Sequence, residues 1–421
     1  MHENFSGFPR PARINSCRAT EILREAIDSR LQFQNTGRLP FLDQSIQQSY
    51  SALESMSLGH PNHTTALNNL GVSFRKRYEQ TGNQADLEHA IRWMEAAFNA
   101  SPTDHPEKVA LLNNLANAFL RLYDSMGNLE DLQKAITFYE NAVLQTSQGH
   151  PDFPSRLNNL STAIRRRYER TLSNEDLNTA IQKSQQCLLF TPIDSPHRAV
   201  RLCNASTILL RRFELSGSPN DLNESIQVLE EAAKLLTVSN ANYLTILGNL
   251  NLSLMARFHI LGSVEDLHRA IDGYWTYLSL GPVNHPARHF AISGLAKALQ
   301  DRYRYTRSVG DLKSAIQLQQ DLLASNSMPE EYRPNYLRDV SISFRMIFEH
   351  NGSLEYMDKA IDALYSATIS QPSLATLHNE LGDLFMRRFH YTGSPVDLNK
   401  SNMERERATL LLAGRVSWPR E

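Results

Sequence analysis

The chain has 421 residues, 41% of them hydrophobic, with 43 basic against 45 acidic side chains and a formal net charge of −2. That composition supports a folded core, and the balanced charge gives no global pull toward nucleic acid or an anionic membrane. Three cysteines, Cys17, Cys187 and Cys203, are too few and too scattered for a disulfide framework or a zinc site.

The opening MHENFSGFPRPARINSC lacks the charged-then-apolar order of a signal peptide. No apolar run approaches the roughly 18 residues of a membrane span. The expected location is therefore the cytoplasm, with the nucleus as the alternative, and no membrane contact is expected. Residues 1–16 are expected to form a flexible N-terminus and 17–59 an irregular helix pair.

From residue 60 the chain repeats. The stretch LNNL stands at 67–70, 112–115 and 157–160, in steps of 45 residues. The marker D-L-x-x-[AS]-I begins at Asp86, Asp131, Asp176, Asp221, Asp266 and Asp311, again in steps of 45; a degenerate copy at Tyr356 keeps the phase, and Asp397 comes four residues early. A fixed period of this length points to a solenoid.

Each unit reads as two helices. In the first, Leu67, Leu70, Phe74 and Tyr78 fall on one stripe. Gly82 closes it, with Gly127, Gly217, Gly262, Gly352 and Gly393 in the equivalent place. The second helix opens at Asn83, Asn128, Ser173, Ser218, Ser263, Ser308, Ser353 or Ser394, with an acid three positions on in all but one copy. That spacing resembles a capping box. Leu87, Ala90, Ile91, Met94, Ala97 and Phe98 then form a second apolar stripe. The spacing predicts an all-α chain of about eight helix pairs over 60–413, preceded by the irregular pair and followed by a tail at 414–421.

These residues resemble the tetratricopeptide repeat. Asn69–Leu70–Gly71 with Phe74 matches the first part of its pattern; Ala90, Met94, Ala97 and Pro102 match the second. The period is longer than the usual repeat by 11 residues, 7 of them between Leu70 and Ala90, so a longer first helix is expected. The expanded form, with R-R-[YF]-E before the turn, resembles fungal proteins that carry a CHAT domain after the repeats; no such region follows residue 413 in this sequence. The resemblance implies a right-handed α-solenoid whose first helices line a concave groove.

Carried over by residue, the groove frame holds Asn68, Val72, Arg75 and Lys76, then Asn113, Asn117, Leu120 and Arg121. It continues with Asn158, Thr162, Arg165 and Arg166, then Cys203, Thr207, Leu210 and Arg211. Later the frame turns apolar, with Leu252 and Met255, then Ile342 and Met346. The expected partner is a protein or peptide segment, acidic over the first four repeats and apolar beyond. Asn69, Asn114, Asn159, Asn204 and Asn249 hold the other amide frame, expected to bond between helices.

The recurring histidines His60, His105, His150 and His285 precede prolines and read as helix-entry turns rather than metal ligands. His285 and His289 lack further ligands for zinc. Cys187 and Cys203 read as small buried residues. Arg77, Arg167, Arg212, Arg257, Arg302 and Arg388 share a frame near the end of the first helix and are expected to serve the helix terminus or pair with Glu79, Glu169 or Glu214. No phosphate loop, metalloprotease or hydrolase motif occurs, so no enzyme activity, cofactor or metal is expected. The run Arg165–Arg166–Arg167 lacks aromatic base platforms, and no nucleic-acid partner is expected. A polar last helix with Asn402 and Arg405 suits the end of an array, while Leu410–Leu411–Leu412 and Trp418 offer a second docking place. Oligomeric state is not fixed by these features.

The resulting expectation is a non-enzymatic interaction scaffold. Two rivals rest on the family resemblance: a regulatory module acting with a separate CHAT-type, caspase-like protease, and an accessory protein of a fungal biosynthetic gene cluster.

Overall fold

A computed structural model describes residues 16–414 apart from 58, 103, 104, 106, 284, 286, 326 and 327. Among the described residues there are eighteen α-helices and no strand. The first four pairs are α1 (Ser16–Thr36) with α2 (Pro40–Ser55), α3 (His63–Thr81) with α4 (Gln84–Ala100), α5 (Lys108–Met126) with α6 (Leu129–Leu144), and α7 (Phe153–Thr171) with α8 (Asn174–Leu189). Then come α9 (Arg198–Ser216) with α10 (Pro219–Lys234), α11 (Ala241–Leu261) with α12 (Val264–Leu280), and α13 (Arg288–Thr306) with α14 (Val309–Ala324). The last two are α15 (Arg333–Asn351) with α16 (Leu354–Ser370) and α17 (Ala375–Thr392) with α18 (Pro395–Leu412). The chain forms two compact units, one up to Asn204 and one from Ala205, the boundary falling inside α9.

In the first unit each helix from α1 to α8 packs on the next, and in the second the same order runs from α10 to α18. The stripes that the period marks are the ones buried: Leu67, Leu70 and Phe74 of α3 and Leu87, Ala90 and Met94 of α4, with Leu70 and Phe74 clustering on Ala90 and Leu67 on Ala97. Each such leucine contributes about 2 kcal/mol by leaving water. The extra residues of the long period lengthen the first helix, which runs 19 residues in α3, α5 and α7 against 16 in α6 and α8.

Six of the turns inside pairs close on a glycine at φ between +67 and +72, at Gly82, Gly127, Gly217, Gly262, Gly352 and Gly393. Two pairs lack that glycine, and there Leu172 and Arg307 take the left-handed conformation themselves, each at φ +56. The N-terminal pair keeps the same turn, with Gly37 at φ +68 and Leu42 fully buried, 45 residues before Gly82 and Leu87. Its irregularity lies in the start of α2, where Leu39 occupies the cap without a side-chain bond.

All eight predicted N-caps begin second helices, but the acid three positions on does not complete a capping box. Asn83 and Asn128 accept the N–H two residues on, and Ser173 and Ser263 accept that of the aspartate at 3.4 and 3.3 Å. Ser218, Ser308, Ser353 and Ser394 make no side-chain cap bond. The aspartate carboxylates instead face the arginine nine residues earlier. Arg77, Arg167 and Arg257 each hold Asp86, Asp176 and Asp266 through two N–H donors at 2.6–2.9 Å. Arg302 and Arg388 grip Asp311 and Asp397 alike, and Arg212 meets Asp221. The expected pairing of this frame with Glu79, Glu169 or Glu214 is thus replaced by a clasp across the turn. Arg77, Arg167 and Arg257 also reach 34 residues back, to Asp43, Gln133 and Asn223 in the preceding pair.

Where the clasp is missing, the exchange is chemically consistent. In the seventh repeat Ile347 and Tyr356 stand in the two places; Ile347 is buried and Tyr356 packs against the same apolar cluster. In the second, Leu122 stands in the arginine frame, and Asp131 has Lys134 at 3.6 Å.

The histidine turns have a specific geometry. The Nδ1 atoms of His60, His105, His150 and His285 accept the backbone N–H two residues on, at 3.1–3.2 Å. A second periodic device was not visible in the sequence. Lys108, Arg288 and Arg333 begin first helices and donate to carbonyls at the end of the helix before, and Arg198 donates to Thr191, just past the end of α8. They satisfy acceptors that the helix end leaves open.

Cys187 and Cys203 are buried, and burial pushes the Cys187 thiol up. Contrary to the expectation that no segment approaches a membrane span, α11 is long and apolar enough over Asn242–Leu261 to cross a membrane by length and composition, with mean hydropathy 1.2. In the structure Leu254, Met255 and Phe258 of that helix are buried in the second unit's core. α18 is polar outward at Asn402 and Arg405, with Arg405 bonded to Asp383, and exposes Met403 and Leu412. Trp418 lies outside the described residues.

Candidate partner-binding surface

In the first unit the first helices lie side by side. The LNNL motif explains how. Asn114 donates to the side-chain oxygen of Asn68 at 3.1 Å, Asn159 to Asn113 at 3.2 Å, and Asn204 to Asn158 at 2.9 Å. The second Asn of each repeat therefore bonds the first Asn of the repeat before it. One step earlier, Arg30 of α1 donates to Asn69 at 2.7 Å. The ladder satisfies half-buried amides that a helix interior otherwise disfavours.

A cavity of about 240 Å³ opens beside this ladder. It gathers four predicted residues, Asn68, Val72, Arg75 and Lys76, with Arg30 and Asn114 on its walls. Arg30 stands 45 residues before Arg75, but α1 carries no repeat marker that would place it in the frame. Burial and the neighbouring Arg75 charge both lower the Arg30 guanidinium. Among the described lining residues there are three cations, Arg30, Arg75 and Lys76, and no carboxylate.

Other placements differ from expectation. Arg75 is only 8% exposed, its Nε lacks a hydrogen-bond partner, and another guanidinium nitrogen pairs with Glu79. It is a wall of the cavity, not a surface hook. Lys76 and Arg121 also reach Glu79, at 2.9 and 3.4 Å. Arg121 meets Asp124 at 3.2 Å, Arg165 pairs with Glu169, and Arg166 lies 4.0 Å from Asp124 and 3.9 Å from Glu169. The expected line of cations is therefore a lattice in which five cations face three carboxylates. Arg211, in the second unit, pairs with Glu214 at 2.7 Å.

The amides are also more committed than expected. Besides the ladder, Asn117 accepts the Tyr139 hydroxyl at 2.7 Å, and burial pushes that phenol up. Thr162 donates to the Asn158 carbonyl at 2.9 Å. Val72 and Cys203 are buried, while Leu120, Thr207 and Leu210 are half-buried. Of the predicted cations in the first unit, Lys76, Arg121 and Arg166 have the most exposed side chains, at 29%, 45% and 43%.

In the second unit the expected apolar continuation is found at one place only. Leu252 is 56% exposed and lines a cavity of about 450 Å³ between α11 and α13. Met255 and Met346 are buried in the core. Ile342 lines a different cavity whose walls are charged, where Arg338 holds both oxygens of Glu380. Arg345 and Arg387 share Glu349 there, at 2.9 and 3.1 Å. The frame positions alone could not separate Leu252 from Met255, because they lie on adjacent edges of one helix. Among the described residues, no three His, Cys, Asp or Glu side chains gather as a metal site.

Residues 64–107 match the family model of the tetratricopeptide repeat. No curated protein sequence matches the chain significantly. Among solved structures, the human IFIT1 dimer with m7Gppp-AAAA is 14% identical, covers 94% of this chain and 85% of its own, and has a TM-score of 0.43. A tetratricopeptide repeat protein from Parabacteroides merdae is 13% identical over 77% of this chain and 98% of its own, with a TM-score of 0.41. A thermophilic tetratricopeptide protein of Thermus thermophilus is 18% identical over 55% of this chain and 98% of its own, with a TM-score of 0.37. The family match covers one repeat, residues 64–107, and agrees there with the repeat pattern read from the residues.

Proposed function

We propose that this tetratricopeptide-repeat chain is a non-enzymatic scaffold that holds an extended protein segment along the first helices of residues 16–204. An acidic stretch of that segment lies over Lys76, Arg121 and Arg166. The observation that carries the reading is the lattice itself: five cations against three carboxylates, half-buried above a ladder of amides. A carboxylate of the partner enters such a lattice by exchange with Glu79, Asp124 or Glu169. The interleaved acids oppose a nucleic-acid backbone, whose binding needs phosphates matched by Lys and Arg along the strand.

The test is quantitative binding of the segment identified by affinity purification and mapping. Arg121→Glu with Arg166→Glu changes two side chains that are 45% and 43% exposed, so folding is preserved. The pair of changes is expected to weaken binding about tenfold or more and to flatten its salt dependence. Unchanged affinity in that variant refutes the assignment. Arg75 is left out of the test because charge reversal at a buried guanidinium unfolds the repeat.

A further inference from the structure

The cavity between α11 and α13 is unlike the surface of the first unit. Where repeats one to three carry Asn-Asn, repeat five carries Gly248–Asn249 and repeat six Ser293–Gly294. Each amide pair has lost one side chain to glycine, and the space is open. Its floor is the rings of Tyr274 and Tyr277, which are 3% and 4% exposed. Its rim is Leu252 and Phe290, 56% and 54% exposed.

The two glycines have different reasons. A Cβ on Gly294 would lie 2.5 Å from the Tyr274 ring, so that glycine makes room for the floor. A Cβ on Gly248 would meet only the Tyr277 ring, at an ordinary 3.7 Å. Beyond the first turn of a helix, Gly248 is the one described helical glycine that packing does not demand. Glycine weakens a helix interior, so its presence at the mouth of an apolar cavity keeps that cavity empty of the chain's own side chains.

The chemistry of the walls defines the occupant. Three aromatic rings face a space whose volume lies in the range of small-molecule sites, larger than one side chain fills. Among the described lining residues, Lys297 is the one Lys, Arg, Asp or Glu side chain. The Lys297 ammonium lies 3.1 Å from Asp339, and its side chain is 54% exposed. With three N–H donors, it can bond an incoming acid group while keeping Asp339, which Ser293 also supports by donating to it. We propose that this cavity binds a small aromatic acid, with its ring system on Tyr274, Tyr277 and Phe290 and its acid group at Lys297. This is a ligand site separate from the protein-binding surface of the first unit.

Two dyes test it on the full chain: 8-anilinonaphthalene-1-sulfonate, an aromatic anion, and N-phenyl-1-naphthylamine, its neutral counterpart. Both are expected to bind wild-type protein at one per chain by fluorescence titration. Gly248→Leu fills the mouth without the close contact that Gly294 forbids, and circular dichroism and thermal melts confirm that the variant is folded. It is expected to weaken both dyes at least about tenfold. Lys297→Met is expected to weaken the sulfonate about threefold to fivefold and to leave the amine unchanged. Equal binding of both dyes to wild type and Gly248→Leu overturns the proposal, as does an equal loss of both dyes in Lys297→Met. If Gly248→Leu instead stripped the chain of its protein partner, the cavity would belong to the protein groove and the small-molecule assignment would fall.

Discussion

Arg77 clasps Asp86 across the turn between α3 and α4, its Nε at 2.9 Å and its Nη2 at 2.6 Å from the two carboxylate oxygens. Asp86 is nearly buried, and the pair raises the Arg77 guanidinium above its ordinary value. The same clasp at Arg257 and Asp266 has side chains 21% and 2% exposed. Removing only the arginine there leaves a buried carboxylate supported by the helix start alone. Arg257→Ile is expected to cost about 2 kcal/mol in denaturant melts, between the values for exposed and buried pairs. Adding Asp266→Tyr, which copies Ile347 and Tyr356 of the seventh repeat, is expected to restore more than half of that loss. A double variant less stable than the single one contradicts the clasp as the reason for the paired exchange.

Leu172 occupies a left-handed turn position that six repeats give to glycine, and it is 70% exposed. Its side chain contributes little burial to offset the backbone cost. Leu172→Gly is expected to stabilise the protein by about 0.5–1 kcal/mol, the left-handed penalty less the added chain entropy of glycine. A lower melting temperature in this variant refutes the strain argument.

Burial raises the Glu79 carboxyl, but the charges of Arg75, Lys76 and Arg121 outweigh it and hold the group below the ordinary carboxylate value. A carboxyl lowered by folding adds stability that is present above its unfolded value, about 4.3, and is lost as pH falls through the folded one. The stability difference between wild type and Glu79→Gln is therefore expected to be full near neutral pH and to vanish on acidification. A difference that grows as pH falls contradicts the sign.

Ser218 and Asn128 occupy one frame, yet only Asn128 accepts a backbone N–H, that of Glu130 at 3.0 Å. Ser218 keeps the extended cap backbone, but its side chain makes no cap bond. Asn128→Ala is expected to cost about 1 kcal/mol and Ser218→Ala a few tenths. Equal losses in thermal melts contradict the distinction.

The helix starts, the glycine turns and the buried stripes were legible because they are local and recur at 45 residues. The clasp was not, because its two partners lie nine residues apart across a turn, where neither helical spacing nor capping rules connect them. The Asn ladder joins residues 46 apart, Asn68 with Asn114. Sequence marked both frames but not that each completes the other. The charge of the proposed surface was half legible: the cations stood in frame, but Glu79 and Glu169, four residues on from Arg75 and Arg165, were assigned to a different arginine frame. In the second unit, the hollow at Gly248 and Gly294 was hidden because an absence of side chain carries meaning only once the neighbouring rings are in place.

The central claim is that a partner segment lies on the first helices of residues 16–204. Photo-crosslinking tests it most directly, with a benzophenone amino acid placed singly at Leu120 of α5, which is half-buried on the proposed surface, or at Thr137 of α6, which is exposed. The account predicts that the Leu120 position traps the partner and the Thr137 position does not. Trapping at Thr137 with none at Leu120 would contradict it.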